Sequence, residues 1–363
     1  MIFLINCSNL KVSGGLQVAK SICEQLNQYK NHHFIVVLST FINDEHISTS
    51  ENVEVFKYNI PQNVKSVLFG RDAFLDGLVE EKHVDAVLTV FGPSLWRPRV
   101  PHLCGFARAQ LLKEVNPDYH PTFKERLIYK IWAWGFRKSS KVFYTENPYI
   151  SDLLPGLIKG CKVYTVTNYY NQIYDTPGLW KRTKELPVFD GITCLSISGH
   201  MAHKNFEILP GVVDYLEENY PTFRFRFVLT FDESEMHIPE HQREHYLFIG
   251  KVDIDECLYL YEQSDIMFMP TLMECFTATY PEAMRMGKPI VTTDLEFARG
   301  LCGNSACFYS PVDAKSAAEA IYKVASDKVY RNQLIANGEK QLLFFDDYRK
   351  RTEKLINILE EIA

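Results

Sequence analysis

The chain has 363 residues, 23% of them charged and 46% hydrophobic, with a formal net charge of −6. That length accommodates two domains with full cores, and the composition excludes a disordered or fibrous chain. An acidic total without a recognisable reader motif argues against a nucleic-acid partner, and no apolar run approaches the ~20 residues needed to cross a bilayer. The chain opens on a strand pattern, Met1-Ile2-Phe3-Leu4-Ile5, with no basic stretch or cleavage site, so no signal peptide is expected. Nine scattered cysteines without a Cys-x-x-Cys fit buried small hydrophobes in a reducing compartment, which makes a cytoplasmic location the expectation.

In chain order, the strand over 1–6 is followed by a Ser13-Gly14-Gly15 loop and a helix over 16–29, apolar at Val18, Ala19, Ile22 and Leu26. Strand patterns follow at 34–38, 53–56, 86–90, 102–106, 141–144 and 163–166, with a long helical pattern over 121–139. Such a βαβ rhythm implies a parallel sheet covered on both faces. Residues 168–190, with Pro177-Gly178, a Lys/Arg cluster and Pro187, read as linker and turn. The rhythm restarts with strands at 192–197, 224–229, 246–249, 266–270 and 290–293, and helices at 206–219, 256–264 and 314–326. The expected organisation is a domain over 1–170, a linker over 171–190, a second domain over 191–340, and a last helix over 341–363 crossing back to the first. Two α/β domains facing across a cleft follow, with ligands at the carboxyl ends of strands.

The most informative segment is Pro270-Thr271-Leu272-Met273-Glu274-Cys275-Phe276-Thr277-Ala278-Thr279-Tyr280-Pro281-Glu282. It leaves a buried strand, enters a short helix stopped by Gly287, and leads to a second strand. Glu274 therefore lies at a strand's carboxyl end, and Glu282 about one turn into the helix. The backbone N–H groups of Phe276, Thr277 and Ala278 stand at that helix start, where unpaired donors and a positive dipole end suit phosphate. A carboxylate on each side of a phosphate cradle suits a nucleotide sugar, one for sugar hydroxyls and one for ribose.

Charge is uneven. Residues 1–170 carry a net +4 and residues 171–363 a net −10; the span 97–141 alone holds 10 basic and 3 acidic residues. Aromatic residues interleave there: Phe106, Tyr119, Phe123, Tyr129, Trp132, Trp134 and Phe136. Two readings stand side by side: an anionic membrane surface or lipid-phosphate partner, and a solvated helix face whose aromatics point into the core.

With its Gly14-Gly15 loop, its Gly199-His200-Met201-Ala202-His203-Lys204-Asn205 loop and its Glu-x7-Glu unit, the chain resembles retaining nucleotide-sugar glycosyltransferases of the GT-B fold, in glycosyltransferase family four. The likeness runs along the whole chain and is strongest over 192–313. It implies the GT-B fold, two Rossmann-like domains with a cleft, and transfer from a nucleoside diphosphate sugar to a glycan acceptor. By analogy the acceptor is a lipid-linked precursor of a surface polysaccharide. By the same resemblance Glu274 sits at the donor sugar, Glu282 binds the ribose, and Lys204 neutralises the departing diphosphate. Gly14 and Gly15 let the first loop approach donor and acceptor, and the N–H groups of 276–278 meet the distal phosphate. No metal or other cofactor is implied. The chain departs from the family in three places. The usual arginine before the lysine falls on Gly199 or His200, so either the two-cation clamp is incomplete or His200 or His203 supplies the second cation. A usual histidine falls on Ala107, and a usual glycine is Thr277. A GT-B epimerase or phosphorylase, and a non-catalytic glycan- or partner-binding protein, are the rival readings.

Two other motifs have plainer explanations. Asp253-Ile254-Asp255 matches a metal-binding Asp-x-Asp but precedes a helix with Glu256 at its start, as a cap does. His237, His241 and His245 have metal-face spacing, yet Pro239 interrupts the helix they would need, so a polar surface loop is expected.

Overall fold

A computed structural model describes residues 1–11, 13–43, 47, 49–61, 69–94, 96–117 and 119–363. It divides into two compact units, Met1–Asn168 with Asp346–Ala363, and Tyr169–Phe345.

The first unit runs β1 (Ile2–Cys7), α1 (Ser13–Cys23), β2 (His33–Leu38), β3 (Val53–Lys57), α2 (Ala73–Glu81), β4 (Ala86–Thr89), β5 (His102–Gly105), α3 (Phe123–Ser139), β6 (Val142–Thr145), α4 (Pro148–Leu157) and β7 (Lys162–Thr165). Its sheet order is β3-β2-β1-β4-β5-β6-β7, and every pairing is parallel. Residues Phe3 to Ile5 and Phe34 to Leu38 are apolar and buried in unbroken runs, as central strands covered on both faces require. Phe3 lies in register with Phe34 on one side and Ala86 on the other.

The expected Ser13-Gly14-Gly15 loop is instead the first turn of α1. Neither glycine has a positive φ. Two glycines lower helix propensity by about 1 kcal/mol each, and the buried stripe of Ala19, Ile22 and Cys23 supplies the packing that offsets this. The helix ends at Cys23, short of the expected residue 29, and a 3-10 turn continues over Leu26–Gln28.

The second unit runs β8 (Ile192–Ser196), α5 (Leu209–Asn219), β9 (Phe225–Leu229), β10 (Tyr246–Phe248), α6 (Ile254–Glu262), β11 (Ile266–Met269), α7 (Thr279–Arg285), β12 (Ile290–Thr293), α8 (Glu296–Cys302), β13 (Ala306–Tyr309), α9 (Ala314–Ser326) and α10 (Lys328–Gln341). The sheet order is β10-β9-β8-β11-β12-β13, again parallel throughout. Residues 171–190 belong to this unit, with 3-10 turns over Gln172–Asp175 and Pro177–Leu179. Gly287, at φ +63°, adopts the left-handed conformation that stops α7, as expected from sequence.

A final helix, α11 (Tyr348–Ile362), buries Leu355, Ile356, Ile358 and Leu359 in the core of the first unit. Polar contacts tie it down. Asp346 accepts from the Thr167 backbone N–H at 3.1 Å and from Lys354 Nζ at 2.7 Å. Arg351 donates to Ser21 Oγ on α1 at 2.8 Å and to the Asn168 side chain.

Each sheet reverses its strand order once, between β1 and β4 and between β8 and β11. Loops leaving the two strands at such a reversal diverge and open a crevice at their carboxyl ends, where ligands of open α/β sheets bind.

Candidate active site

In the second unit the crevice is built by the loops after β8 and β11. The first loop is anchored by the Ser198 N–H, which donates to Thr230 Oγ1 at 2.9 Å. It makes a 3-10 turn over Ala202–Lys204 and reverses at Asn205, whose φ is +55°. The fully buried Phe206 then pins it to the core. The second loop is anchored by Thr271, whose carbonyl accepts from Thr293 Oγ1 at 2.7 Å. The Leu272 N–H donates to the His203 carbonyl at 2.7 Å and stitches the two loops together.

This stitching sets Lys204 against Glu274. The ammonium of Lys204 pairs with Glu274 Oε1, and Thr271 Oγ1 donates to the same oxygen at 3.0 Å. The two charged side chains are only 10% and 13% exposed. Lys204 is thus no surface lysine, and Glu274 is no cap. Attraction repays the desolvation of two charges only with good geometry and added hydrogen bonds, so such a pair is a costly way to gain stability. His203 is half-buried beside the pair. Burial lowers its pKa, Glu274 opposes the shift, and the Lys204 charge adds to it. Burial thus makes His203 a poorer carrier of a second positive charge than an exposed histidine would be.

Glu282 lies on the inner side of α7, 7% exposed. Burial pushes its carboxyl up to about 7, against the pull of the Tyr174 and Tyr261 hydroxyls. Tyr261 Oη donates to Glu282 Oε2 at 3.4 Å. Between the two glutamates, Phe276 meets Phe345 edge-on at 6.0 Å, and the Thr277 and Thr279 hydroxyls bond at 2.9 Å. Helix α7 follows Ala278 without a side-chain cap. Its first N–H groups have no intrahelical partners by construction.

His200 is drawn elsewhere. Its Nε2 lies 3.0 Å from Glu207 Oε1, and its ring packs on Phe206 and Phe231 at centroid distances of 6.2 and 5.1 Å. Gly14 and Gly15 belong to the first unit. A Cβ on Gly14 would meet nothing within 4 Å, and one on Gly15 would make ordinary 3.6 Å contacts with Leu10 and Phe91. The fold itself therefore does not demand glycine at either position.

Sequence reasoning passed over Thr271 and the tyrosines around Glu282. Thr271 stands three residues before Glu274, a spacing at which a hydroxyl and a carboxylate on one turn meet. Nothing in the sequence pointed Tyr174 or Tyr261 at Glu282. The Asp-x-Asp motif is a cap, as expected, whereas the loop expected at His237, His241 and His245 contains a 3-10 helix over Glu240–His245, where Glu217, Glu244 and His245 converge. Asp253 and Glu256 form a reciprocal cap on α6, and Asp255 pairs with Lys181 at 2.7 Å. His245 stacks on Phe225 at 4.4 Å, and His241 faces Asp214 at 3.7 Å.

Helix α3 carries Lys124, Arg126, Lys130, Arg137 and Lys138, half of the basic residues of the span 97–141. Phe106 and Phe136 are fully buried, as the core reading expects. Trp132 and Trp134 lie beneath Arg108 and Arg97, at 4.4 and 4.7 Å. Phe123, Leu127, Ile128 and Ile131 stand exposed among exposed Lys124, Arg126 and Lys130. A reciprocal Thr122–Glu125 cap fixes the start of this helix.

Residues 196–341, less than half the chain, match the family model described as glycosyl transferases group 1. The match spans both loops of the crevice. No curated protein matches the sequence. Among solved structures, the chain is similar to a glycosyltransferase from Rickettsia africae (16% identity, TM-score 0.69, 99% of this chain and 98% of that one). It is similar to sucrose-phosphate synthase from Thermosynechococcus elongatus (15%, 0.70, 99% and 98%). It is also similar to Alr3699/HepE of Anabaena in complex with UDP and glucose (15%, 0.64, 99% of each). The fold is GT-B. Together with the group 1 match, it makes this chain a glycosyltransferase of the GT-B type.

Proposed function

We propose that the chain transfers a sugar from a nucleoside diphosphate sugar to a glycan acceptor, with retention of anomeric configuration and without a metal. The observation that carries this reading is the buried pair of Lys204 and Glu274 at the sheet's reversal point, inside the segment that matches the group 1 model. In the proposed reaction the bond from the anomeric carbon to the diphosphate oxygen breaks, and its electron pair leaves with the diphosphate. The acceptor hydroxyl oxygen forms the new bond to that carbon, and its proton passes to the departing phosphate oxygen. Lys204 and the backbone N–H groups of Phe276, Thr277 and Ala278 oppose the charge that builds on the leaving group. Glu274 holds the sugar hydroxyls and Glu282 the ribose. Gly14 and Gly15 leave room for donor and acceptor. With His200 Nε2 drawn to within 3.0 Å of Glu207 and burial lowering the pKa of His203, Lys204 is the principal cation in this reading.

The acceptor in this reading is lipid-linked, and α3 meets an anionic membrane surface. Four large apolar side chains exposed among lysine and arginine on one helix support it, because the apolar groups enter the interface while the cations meet lipid phosphate. No helix of the described residues is long and apolar enough to cross a membrane.

A thermal-shift panel of UDP-, GDP-, ADP- and CMP-sugars tests the donor, since a ligand bound only by the native state raises Tm. NMR of the product's anomeric proton tests retention. Sedimentation with phosphatidylglycerol vesicles, set against phosphatidylcholine, tests the surface. A panel without any shift or nucleotide release overturns the donor reading.

A further inference from the structure

We propose that Thr271 is a positioning residue that keeps the Glu274 carboxylate aimed when Lys204 turns to a phosphate. The proposal rests on the roles given above to Lys204 and Glu274. Thr271 is fully buried, and its carbonyl is tied to β12 through Thr293 at 2.7 Å, so its hydroxyl has a fixed origin. That hydroxyl lies 3.0 Å from Glu274 Oε1 and 3.3 Å from the His203 carbonyl. A hydroxyl carries one proton, so the two acceptors compete for it.

While the Lys204 ammonium rests on Glu274 Oε1, the carboxylate is held from the β8 side and can spare the threonine proton. An arriving diphosphate is a more highly charged claimant on the ammonium. Glu274 then loses part of its attraction and gains a like charge nearby, and both effects drive it out of place. The Thr271 contact does not depend on Lys204. With its proton given wholly to Oε1, the threonine holds the carboxylate through the step in which the lysine serves the leaving group.

Thr271→Val keeps the branched shape and removes the hydroxyl; Thr271→Ser keeps the hydroxyl. Both are assayed with whichever member of the UDP-, GDP-, ADP- and CMP-sugar panel the wild type turns over. Thr271→Val is expected to lose about 10- to 100-fold in kcat with donor KM changed less than about 3-fold, and Thr271→Ser to stay within about 3-fold of wild type. In a Glu274→Gln background the same Val substitution is expected to cost less than about 3-fold, because it acts through the carboxylate. Unchanged kcat in Thr271→Val, or an equal loss in both backgrounds, overturns the positioning role and leaves that of Glu274 standing. A wild type that turns over no panel member overturns the functional reading and this inference with it. Should Thr271→Val fail to fold, Thr271→Ala enters the same cycle, judged by the same outcomes.

Discussion

The two units repeat one strand order, yet their reversal points are furnished differently. Between β1 and β4 the first unit sets Gly14 and Gly15 at the start of a helix, with open space in front of one Cβ position and ordinary contact at the other. Between β8 and β11 the second unit sets a buried ammonium against a buried carboxylate. The repeated topology fixes where a ligand can lie. The side chains at each point decide whether it can handle developing charge or only admit bulk.

The largest effects belong to the charged point. Lys204→Ala and Glu274→Ala are each expected to lower turnover by about 10²- to 10³-fold, the scale of removing one preorganised charge stabiliser. Each also strands its partner, at a cost of about 3 kcal/mol in urea unfolding. The double variant Lys204→Met/Glu274→Gln strands no charge and is expected to be more stable than either single variant while remaining inactive. A double variant no more stable than the singles would show that the pair is not energetically coupled, and the contrast between the two reversal points would weaken.

A second contrast concerns one buried carboxyl in each unit. Burial pushes both Glu146 and Glu282 up to about 7, although Glu146 has the Arg351 charge beside it and Glu282 has tyrosine hydroxyls. A carboxyl protonated in the fold and ionised in the unfolded chain makes stability fall as pH rises, here from about 4.5 to about 7, with no further loss above that. The full shift at one such group amounts to on the order of 3 kcal/mol. Glu282→Gln removes its share, so its Tm is expected to fall less than that of wild type between pH 5 and about 7.5. Glu146→Gln loses the same pH dependence, and above about pH 7, where Glu146 is ionised, it also leaves the buried Arg351 without that neighbouring charge, so there it is expected to be the less stable of the two variants. In the ribose-binding role proposed for Glu282, the ionised carboxylate is the better acceptor of hydroxyl protons. Donor KM is therefore expected to fall as pH rises through about 7 in wild type and to stay flat in Glu282→Gln.

Much of this was legible in the sequence because it follows local rules. Unbroken apolar runs such as 34–38 marked central parallel strands. Gly287 marked the end of α7, and Asp253 with Glu256 marked the cap of α6. Glu274 and Lys204 were legible as candidates, but their mutual pairing was not, since 70 residues separate them and only the β8–β11 adjacency joins them. The start of α1 was misread because two glycines signal a loop locally, while the buried face of the helix is set by β1, β2 and α11. His200 was a candidate because the resemblance sets the usual arginine at Gly199 or His200; that its Nε2 lies 3.0 Å from Glu207 Oε1 was not legible from the sequence.

The smallest expected effect returns to the uncharged point. Gly14 lies in a helical turn without a positive φ and has nothing within 4 Å of an added Cβ. On the protein's own account, Gly14→Ala then stabilises the fold, by about 0.5–1 kcal/mol of helix propensity and lost chain entropy. If the open space exists for donor or acceptor, the same methyl lowers turnover while Tm rises, a combination that no loss of structure produces. Nucleotide release and Tm measured on one preparation separate the cases. A variant both more stable and fully active would mean that the first reversal point does not meet the reacting groups, and that the glycine there has no role the fold or the reaction requires.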